Sequence, residues 1–177
     1  MTRTARGFTL VELLVVVAML GILMAIAAPA FLRARQAGNE SSAISSLRTI
    51  SSAQYMYGAT CASGYFAPSL TALGTPPPGG APFIGPDLGS AAVVSKSGYT
   101  VTIGSSSGPD AVSPASCNGV AAGASLSGYF ATATASPGTG TRSYGVNGMG
   151  SIYYQEQTVP LAMTDTTAPA GARPIPQ

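Results

Sequence analysis

The chain contains no histidine and no tryptophan, and only 8% of its 177 residues are charged. Without histidine, Ser-His-Asp and Cys-His catalytic arrangements are excluded, as are zinc sites built on imidazole ligands. Eight basic and six acidic side chains leave a formal net charge of +2, too small for a basic field that would attract nucleic acid. These absences predict a protein that is not an enzyme, uses no cofactor and does not depend on nucleic acid.

What the chain does have is one long apolar run, from Phe8 to Leu32, in which Glu12 is the only formal charge. As a helix, this run of about 25 residues would span roughly 37 Å, which is enough to cross a bilayer. A carboxylate inside such a segment costs a few kcal/mol, so we expect Glu12 to have a partner. Pro29 removes one backbone hydrogen bond and should bend or locally open the helix.

Two ordinary explanations of the run are incomplete. A secretory signal would use the Ala-Pro-Ala sequence at 28–30 as its cleavage site, but the run is too long for such a signal and contains Glu12. A plain membrane anchor explains the length and the basic flank of Arg3 and Arg6, but it leaves Glu12 unexplained. Arg33 and Arg35, on the opposite flank of the run, further weaken the interpretation as a plain membrane anchor.

Beyond Leu32 the helical pattern becomes amphipathic. Apolar residues recur every three or four positions, which predicts one continued helix with a single apolar stripe: Ile44, Leu47, Ile50, Ala53 and Tyr57. We interpret the arginines near this helix as a solvated face rather than a nucleic-acid patch: Arg33, Arg35 and Arg48.

The rest of the chain is rich in turn-forming residues and short alternating segments. The stretches GYTVTIG, SGYFATATA, RSYGV and SIYYQ have β character, and Asn147-Gly148 marks a hairpin between the last two. The predicted fold class is α+β, with a long N-terminal helix packed on an antiparallel sheet of three to four strands. The predicted segments are a transmembrane half of the helix at 8–32, its amphipathic continuation at 33–58, a Gly/Pro-rich connecting loop at 59–96, the sheet at 97–163 and an extended tail at 164–177.

Cys61 and Cys117 are the only cysteines. In a chain that passes a membrane, an even pair at this spacing favours a disulfide over a metal site or a CxxC redox pair. The predicted bond would close a loop of about 57 residues, which the chain-entropy argument values at about 4 kcal/mol. The GSSSG sequence at 104–108 matches the G-x-S-x-G pattern of serine hydrolases, but we predict no chemistry for it because the chain has no histidine.

The N-terminal stretch RGFTLVELLVVVAMLGILMAIAAPAF resembles the leader and first helix of type IV prepilins and of type II secretion pseudopilins. The resemblance implies that residues 1–7 are a leader, that a prepilin peptidase cuts between Gly7 and Phe8, and that the new amine of Phe8 is methylated. It also implies that Glu12 of an incoming subunit pairs with the N-terminal amine of its neighbour. Pro29 would let the helix open as the subunit leaves the lipid.

The body of the chain resembles type IVa-like pilins in which a G-T-R-x-Y strand turns into a G-x-I-x-Y strand. Two features depart from the family. Many type IVa pilins close a C-terminal loop with their disulfide, whereas Cys61 and Cys117 would tie the helix-to-sheet loop to the middle of the sheet. The major pseudopilin has a calcium site of clustered acids, whereas Glu156 and Asp165 are isolated in the sequence, so no metal site is predicted.

The resemblance therefore implies a structural subunit of a pilus-like helical homopolymer. Its implied partners are other copies of itself, the prepilin peptidase, an inner-membrane assembly platform and the platform's ATPase. The subunit would cross the inner membrane once, with its head outside the cytoplasm, and then enter an extracellular pilus. Two alternatives remain open: a type II secretion pseudopilin in the periplasm, and a membrane-anchored or secreted binding module.

Overall fold

A computed structural model describes residues 7–175, so most of the predicted leader, with Arg3 and Arg6, lies outside the described part, as do the last two residues of the tail. The chain divides between Arg35 and Gln36 into two compact units. We refer to residues 7–35 as the N-terminal segment and to residues 36–175 as the head.

The elements are three helices followed by six strands. The helices are α1 Leu10–Thr60, α2 Leu70–Gly74 and α3 Pro86–Gly89. The strands are β1 Val93–Lys96, β2 Tyr99–Gly104, β3 Phe130–Ala135, β4 Ser143–Asn147, β5 Ile152–Gln155 and β6 Arg173–Pro174. All six form one antiparallel sheet in sequential order, so each strand pairs with the next along the chain.

The predicted α+β class is confirmed, but the prediction of three to four strands was too low. The four predicted segments became β2 to β5, and β4 and β5 form the hairpin marked by Asn147-Gly148. The two extra strands lie at the edges. Strand β1 is four residues long and follows a Gly/Pro-rich stretch that hid its pattern, and β6 is two residues long and includes a proline.

The head core forms between the second part of α1 and one face of the sheet. The helix contributes a buried stripe at helical spacing: Ala43, Leu47, Ile50, Ala53 and Tyr57. Central strand β3 contributes only alanines to this core, which leaves room for larger side chains from the helix and from neighbouring strands. The larger core side chains of the sheet include Tyr99, Val101, Tyr144 and Val146. The periodicity that predicted the stripe is thus the periodicity that is buried.

The other face of the sheet is partly covered by the C-terminal region. Leu161 and Met163 are buried, and Met163 lies over Gly145, where an added Cβ would come within 2.8 Å of its Cγ. Asp165 is only 7% exposed. The second residue of the tail that we predicted to be extended over the surface, at 164–177, is therefore part of the packed head.

The long connection between β2 and β3 is held to the end of α1. Cys61 and Cys117 form a disulfide, with their Cα atoms 4.9 Å apart, and the Cys117 N–H donates to the Cys61 carbonyl at 3.0 Å. Asn118 donates to the carbonyls of Ala72 and Thr75 at 2.6 and 3.0 Å. Cys117 lies in the loop between the strands, so the bond ties this loop to the helix end, not to the middle of the sheet as expected.

Candidate functional site

The start of α1 is built by a reciprocal pair of hydrogen bonds between Thr9 and Glu12. The Thr9 N–H donates to Glu12 Oε2 at 3.1 Å, and the Glu12 N–H donates to Thr9 Oγ1 at 3.3 Å. The Thr9 hydroxyl also donates to Glu12 Oε2 at 2.8 Å. This is a capping box, in which the N-cap threonine and the acid three residues later satisfy backbone N–H groups that a helix start leaves unpaired. Glu12 therefore has a partner within its own chain.

Sequence reasoning missed the role of Thr9. The T-x-x-E pattern before an apolar run is itself the signature of a capping box, so the signal was present in the sequence. The pairing of Glu12 with the N-terminal amine of a neighbouring subunit stays a prediction.

Gly7 and Phe8 lie immediately before this cap and are both exposed. Phe8 is 78% exposed, and a Cβ added to Gly7 would meet nothing within 4 Å. The described residues of the chain therefore give no steric reason for a glycine at position 7.

Every described residue of the N-terminal segment is exposed within the molecule. Its large apolar side chains lie on all sides of the helix rather than along one stripe: Leu10, Val11, Leu13, Leu14, Val15, Val16, Val17, Met19, Leu20, Ile22, Leu23, Met24, Ile26, Phe31 and Leu32. Among the described residues, α1 is the one helix that is long and apolar enough to cross a membrane. A helix that is apolar all round is normally covered by lipid or by other protein.

Pro29 lies inside α1. Because proline has no N–H, the carbonyl of Ala25 lacks the hydrogen bond that an unbroken helix would give it. The backbone hydrogen bonding of the helix is therefore interrupted within the last third of the apolar run. The predicted flexure at this residue stays a prediction.

A polar cluster in the head gives the G-T-R-x-Y sequence at 140–144 a physical explanation. The Glu40 carboxylate of α1 accepts from the Tyr144 hydroxyl at 3.0 Å, and from the Thr141 N–H and hydroxyl at 3.3 and 3.2 Å. Arg142 lies 3.8 Å from Glu40 and 3.5 Å from Glu156. The three polar side chains of the sequence thus converge on one acid of the helix, which sequence reasoning did not single out.

The surroundings of this cluster raise the pKa of its two tyrosines above the ordinary value of 10. Burial, and then the adjoining Glu40 carboxylate, raise the pKa of Tyr144. The same two causes raise the pKa of Tyr99 to about 12, and its hydroxyl donates to the Arg142 carbonyl at 3.0 Å. The hydrogen bond from the Tyr144 hydroxyl to Glu40 joins strand β4 to the helix.

Ser106 and its neighbours, in the hydrolase-like pattern, surround Asp165. The Ser106 N–H donates to Asp165 Oδ1 at 2.9 Å, and the hydroxyls of Ser105 and Ser107 each donate to Oδ2 at 3.1 Å. These hydrogen bonds hold the pKa of Asp165 below its ordinary value, although burial opposes them. Between residues 7 and 175, no three histidine, cysteine, aspartate or glutamate side chains cluster as metal ligands would.

Residues 2–28 match the family model described as the prokaryotic N-terminal methylation motif. No curated protein and no solved structure is significantly similar to the chain. Within the N-terminal segment, the match covers residues 7–28, which include the capping box and most of the apolar run. The chain therefore carries the N-terminal methylation motif that is the hallmark of type IV pilin and pseudopilin precursors.

Proposed function

We propose that the chain is the structural subunit of a type IV pilus-like filament, cut by prepilin peptidase between Gly7 and Phe8 and polymerised through the N-terminal segment. One observation carries the proposal: a helix that begins at the methylation motif and exposes apolar side chains on every side. Such a surface is stable in lipid before assembly. It is equally stable in a filament whose core is made from the same helix of many copies, since each copy then covers its neighbours.

The cleavage step fits the exposed glycine at position 7. A peptidase must hold the backbone on both sides of the bond it cuts, and a residue without a side chain allows that close approach. Cutting there would leave Phe8 as the new N-terminus, with Thr9 and the capping box directly behind it. Methylation of the Phe8 amine would preserve its positive charge.

Glu12 would then have two roles in succession. Within one subunit it closes the capping box with Thr9. In the filament, its carboxylate would also attract the cationic amine of Phe8 on a neighbouring subunit. Because both charges would be removed from water, losing either one would leave the other buried and unpaired, at a cost of about 3–5 kcal/mol. This pairing would set the axial position of each incoming subunit.

The remaining partners follow from the proposed cycle. The precursor would cross the inner membrane once, with its head outside the cytoplasm. An inner-membrane platform, driven by an ATPase in the cytoplasm, would extract it into the filament. The weakened backbone near Pro29 would let the helix open during this transfer. We assign the finished filament to the cell surface.

Mass spectrometry on two cell fractions tests this proposal. We expect a chain that begins at N-methylated Phe8 in the material sheared from cells. The same processed chain confined to membranes would identify a periplasmic pseudopilus instead. An uncut chain, or one that begins at Phe31 after the Ala-Pro-Ala sequence, would overturn both assignments and favour an anchored or secreted binding module.

A further inference from the structure

The head satisfies most of its charged side chains within one copy. Lys96 lies 2.6 Å from Asp87, Arg142 lies between Glu40 and Glu156, and Asp165 is satisfied by serine donors. Among residues 36–175, this leaves one acid with neither a cationic partner nor a set of serine donors, Asp110, and two bases without an acidic partner, Arg48 and Arg173. In so weakly charged a chain, these leftover charges are the candidates for contacts between molecules.

Arg48 borders a groove that suits an apolar residue accompanied by an acid. The groove, of about 370 Å³, is lined by Arg48, Gly150, Ile152 and Ile175. Among the described residues, its one charged lining residue is the exposed arginine, and its isoleucines supply an apolar floor. Arg173 differs, because its groove is also lined by Glu156, an acid of the same copy. Of these two bases, Arg48 is therefore the one whose groove has no acid among the described lining residues.

The loop that carries Asp110 presents the complementary pair. Asp110 Oδ1 accepts from the Val112 N–H at 3.0 Å, which closes a tight turn and leaves the carboxylate's other oxygen without a partner among the described residues. Val112 at the tip is 79% exposed, the most exposed large apolar side chain of the head in the described chain. An acid and an apolar side chain thus project together from one turn.

Backbone hydrogen bonds within one copy hold this turn. The Asp110 N–H donates to the Ser125 carbonyl at 2.9 Å, and the Ser113 N–H donates to the Asp110 carbonyl at 3.0 Å. The Gly123 N–H donates to the Ser113 carbonyl at 2.8 Å. Little conformational entropy would be lost when such a turn docks.

We propose that the Asp110–Val112 turn of one copy docks in the Arg48 groove of the next copy, with Asp110 paired to Arg48 and Val112 against Ile152 and Ile175. The inference rests on the proposed function and adds to it a specific contact between heads. Because the two patches are different surfaces of the same chain, the contact is head-to-tail and can repeat without closing, as a filament requires.

Carbodiimide cross-linking tests the contact in filaments on intact cells. Arg48→Lys keeps the charge and supplies an amine, which the reagent joins to an adjacent carboxylate with loss of water. We expect a ladder of multimers on a denaturing gel and a Lys–Asp110 peptide by mass spectrometry. Asp110→Asn in the same background should remove both. Lys96 and Asp87, already paired within one copy, provide an internal control for the reaction.

A matched control places the lysine elsewhere. Arg173→Lys introduces an amine at the other base without an ion pair, and it should give no cross-link to Asp110. In a separate charge-reversal test, Arg48→Asp or Asp110→Arg alone should lower the filament yield about threefold, the effect of one exposed ion pair per contact, and the double variant should restore it.

The outcomes separate the two proposals. If filaments form but the lysine at position 48 joins another acid, another protein or nothing while Lys96 joins Asp87, this contact is wrong and the filament assignment stands. If neither filaments nor membrane oligomers form from the wild-type chain, the proposed function fails and this inference fails with it.

Discussion

The two parts of α1 share one backbone geometry but differ in what covers their side chains. In the N-terminal segment every described residue is exposed, whereas the part within the head buries a stripe that includes Leu47, Ile50 and Tyr57. The first part is apolar all round, and the second alternates apolar and polar faces. One part thus buries its apolar side chains within a single copy, whereas the apolar side chains of the other are left uncovered by the described residues of the chain.

The polar contacts of the two parts of α1 differ in the same way. The part of α1 within the head is fixed by Glu40, by Gln54, whose buried amide bonds both backbone groups of Ala67, and by Tyr55, which donates to the Gly148 carbonyl at 2.5 Å. In the N-terminal segment, by contrast, the side-chain hydrogen bonds of the described residues are those between Thr9 and Glu12. Substitutions in the two parts should therefore have different consequences.

The largest effect is expected from Glu12→Gln. Glutamine can complete the same capping box but carries no charge. We expect normal insertion and cleavage, and a loss of sheared filament of more than about a hundredfold, because the neighbour's buried amine would lose its partner. Filament yield measured against membrane-bound processed subunit checks this.

Thr9→Val is the matched control for that experiment. It removes the cap, worth about 1 kcal/mol, and leaves the Glu12 charge in place. Assembly should fall only severalfold. Equal losses from both variants, or wild-type yield from Glu12→Gln, would show that the acid serves the helix start alone.

Removing the disulfide should have the next largest effect, and this effect should be confined to the stability of the head. Replacing Cys61 and Cys117 together by serine should lower the free energy of unfolding of the head by about 4 kcal/mol. Denaturant unfolding of the detergent-solubilised chain, followed by near-ultraviolet circular dichroism of the buried tyrosines, measures it. A loss below about 1 kcal/mol would mean that hydrogen bonds such as those of Asn118 already hold the 105–129 loop.

A pair of leucine substitutions tests the comparison directly. Leu47 is fully buried and Leu20 is 52% exposed, although both lie in α1. Leu47→Ala should lower the free energy of unfolding of the head by about 3 kcal/mol, through lost burial and the cavity it leaves. Leu20→Ala should leave head stability unchanged and reduce filament yield. If Leu20→Ala destabilised the head, the two parts of α1 would not be energetically separate.

The sequence predicted the features that repeat locally. The all-round apolar run, the stripe on α1 and the alternation in β2 each follow a short period, so each was recognisable from neighbouring residues. The long-range contacts were not recognisable from neighbouring residues. Gln54 bonds a residue 13 positions away, Ser106 one 59 positions away and Tyr144 one 104 positions away. No local pattern encodes which distant group will satisfy a buried polar side chain.

The long-range contacts of Asp165 can be tested with pH. Replacing Asp165 should have the smallest effect among these substitutions. Its folded-state pKa lies below the ordinary value of 3.8, so the stabilisation it provides is fully present above that value. The stabilisation is lost as the pH falls through the folded-state pKa, because the carboxylate must then gain a proton. Asp165→Asn should cost about 1–2 kcal/mol at neutral pH, since the amide replaces only part of the serine contacts. Unfolding measured from pH 7 to pH 3 should show a smaller acid loss in the variant than in the wild type. An equal acid loss in both would assign it to other carboxylates, such as Asp87, whose pKa is also lowered by its Lys96 partner.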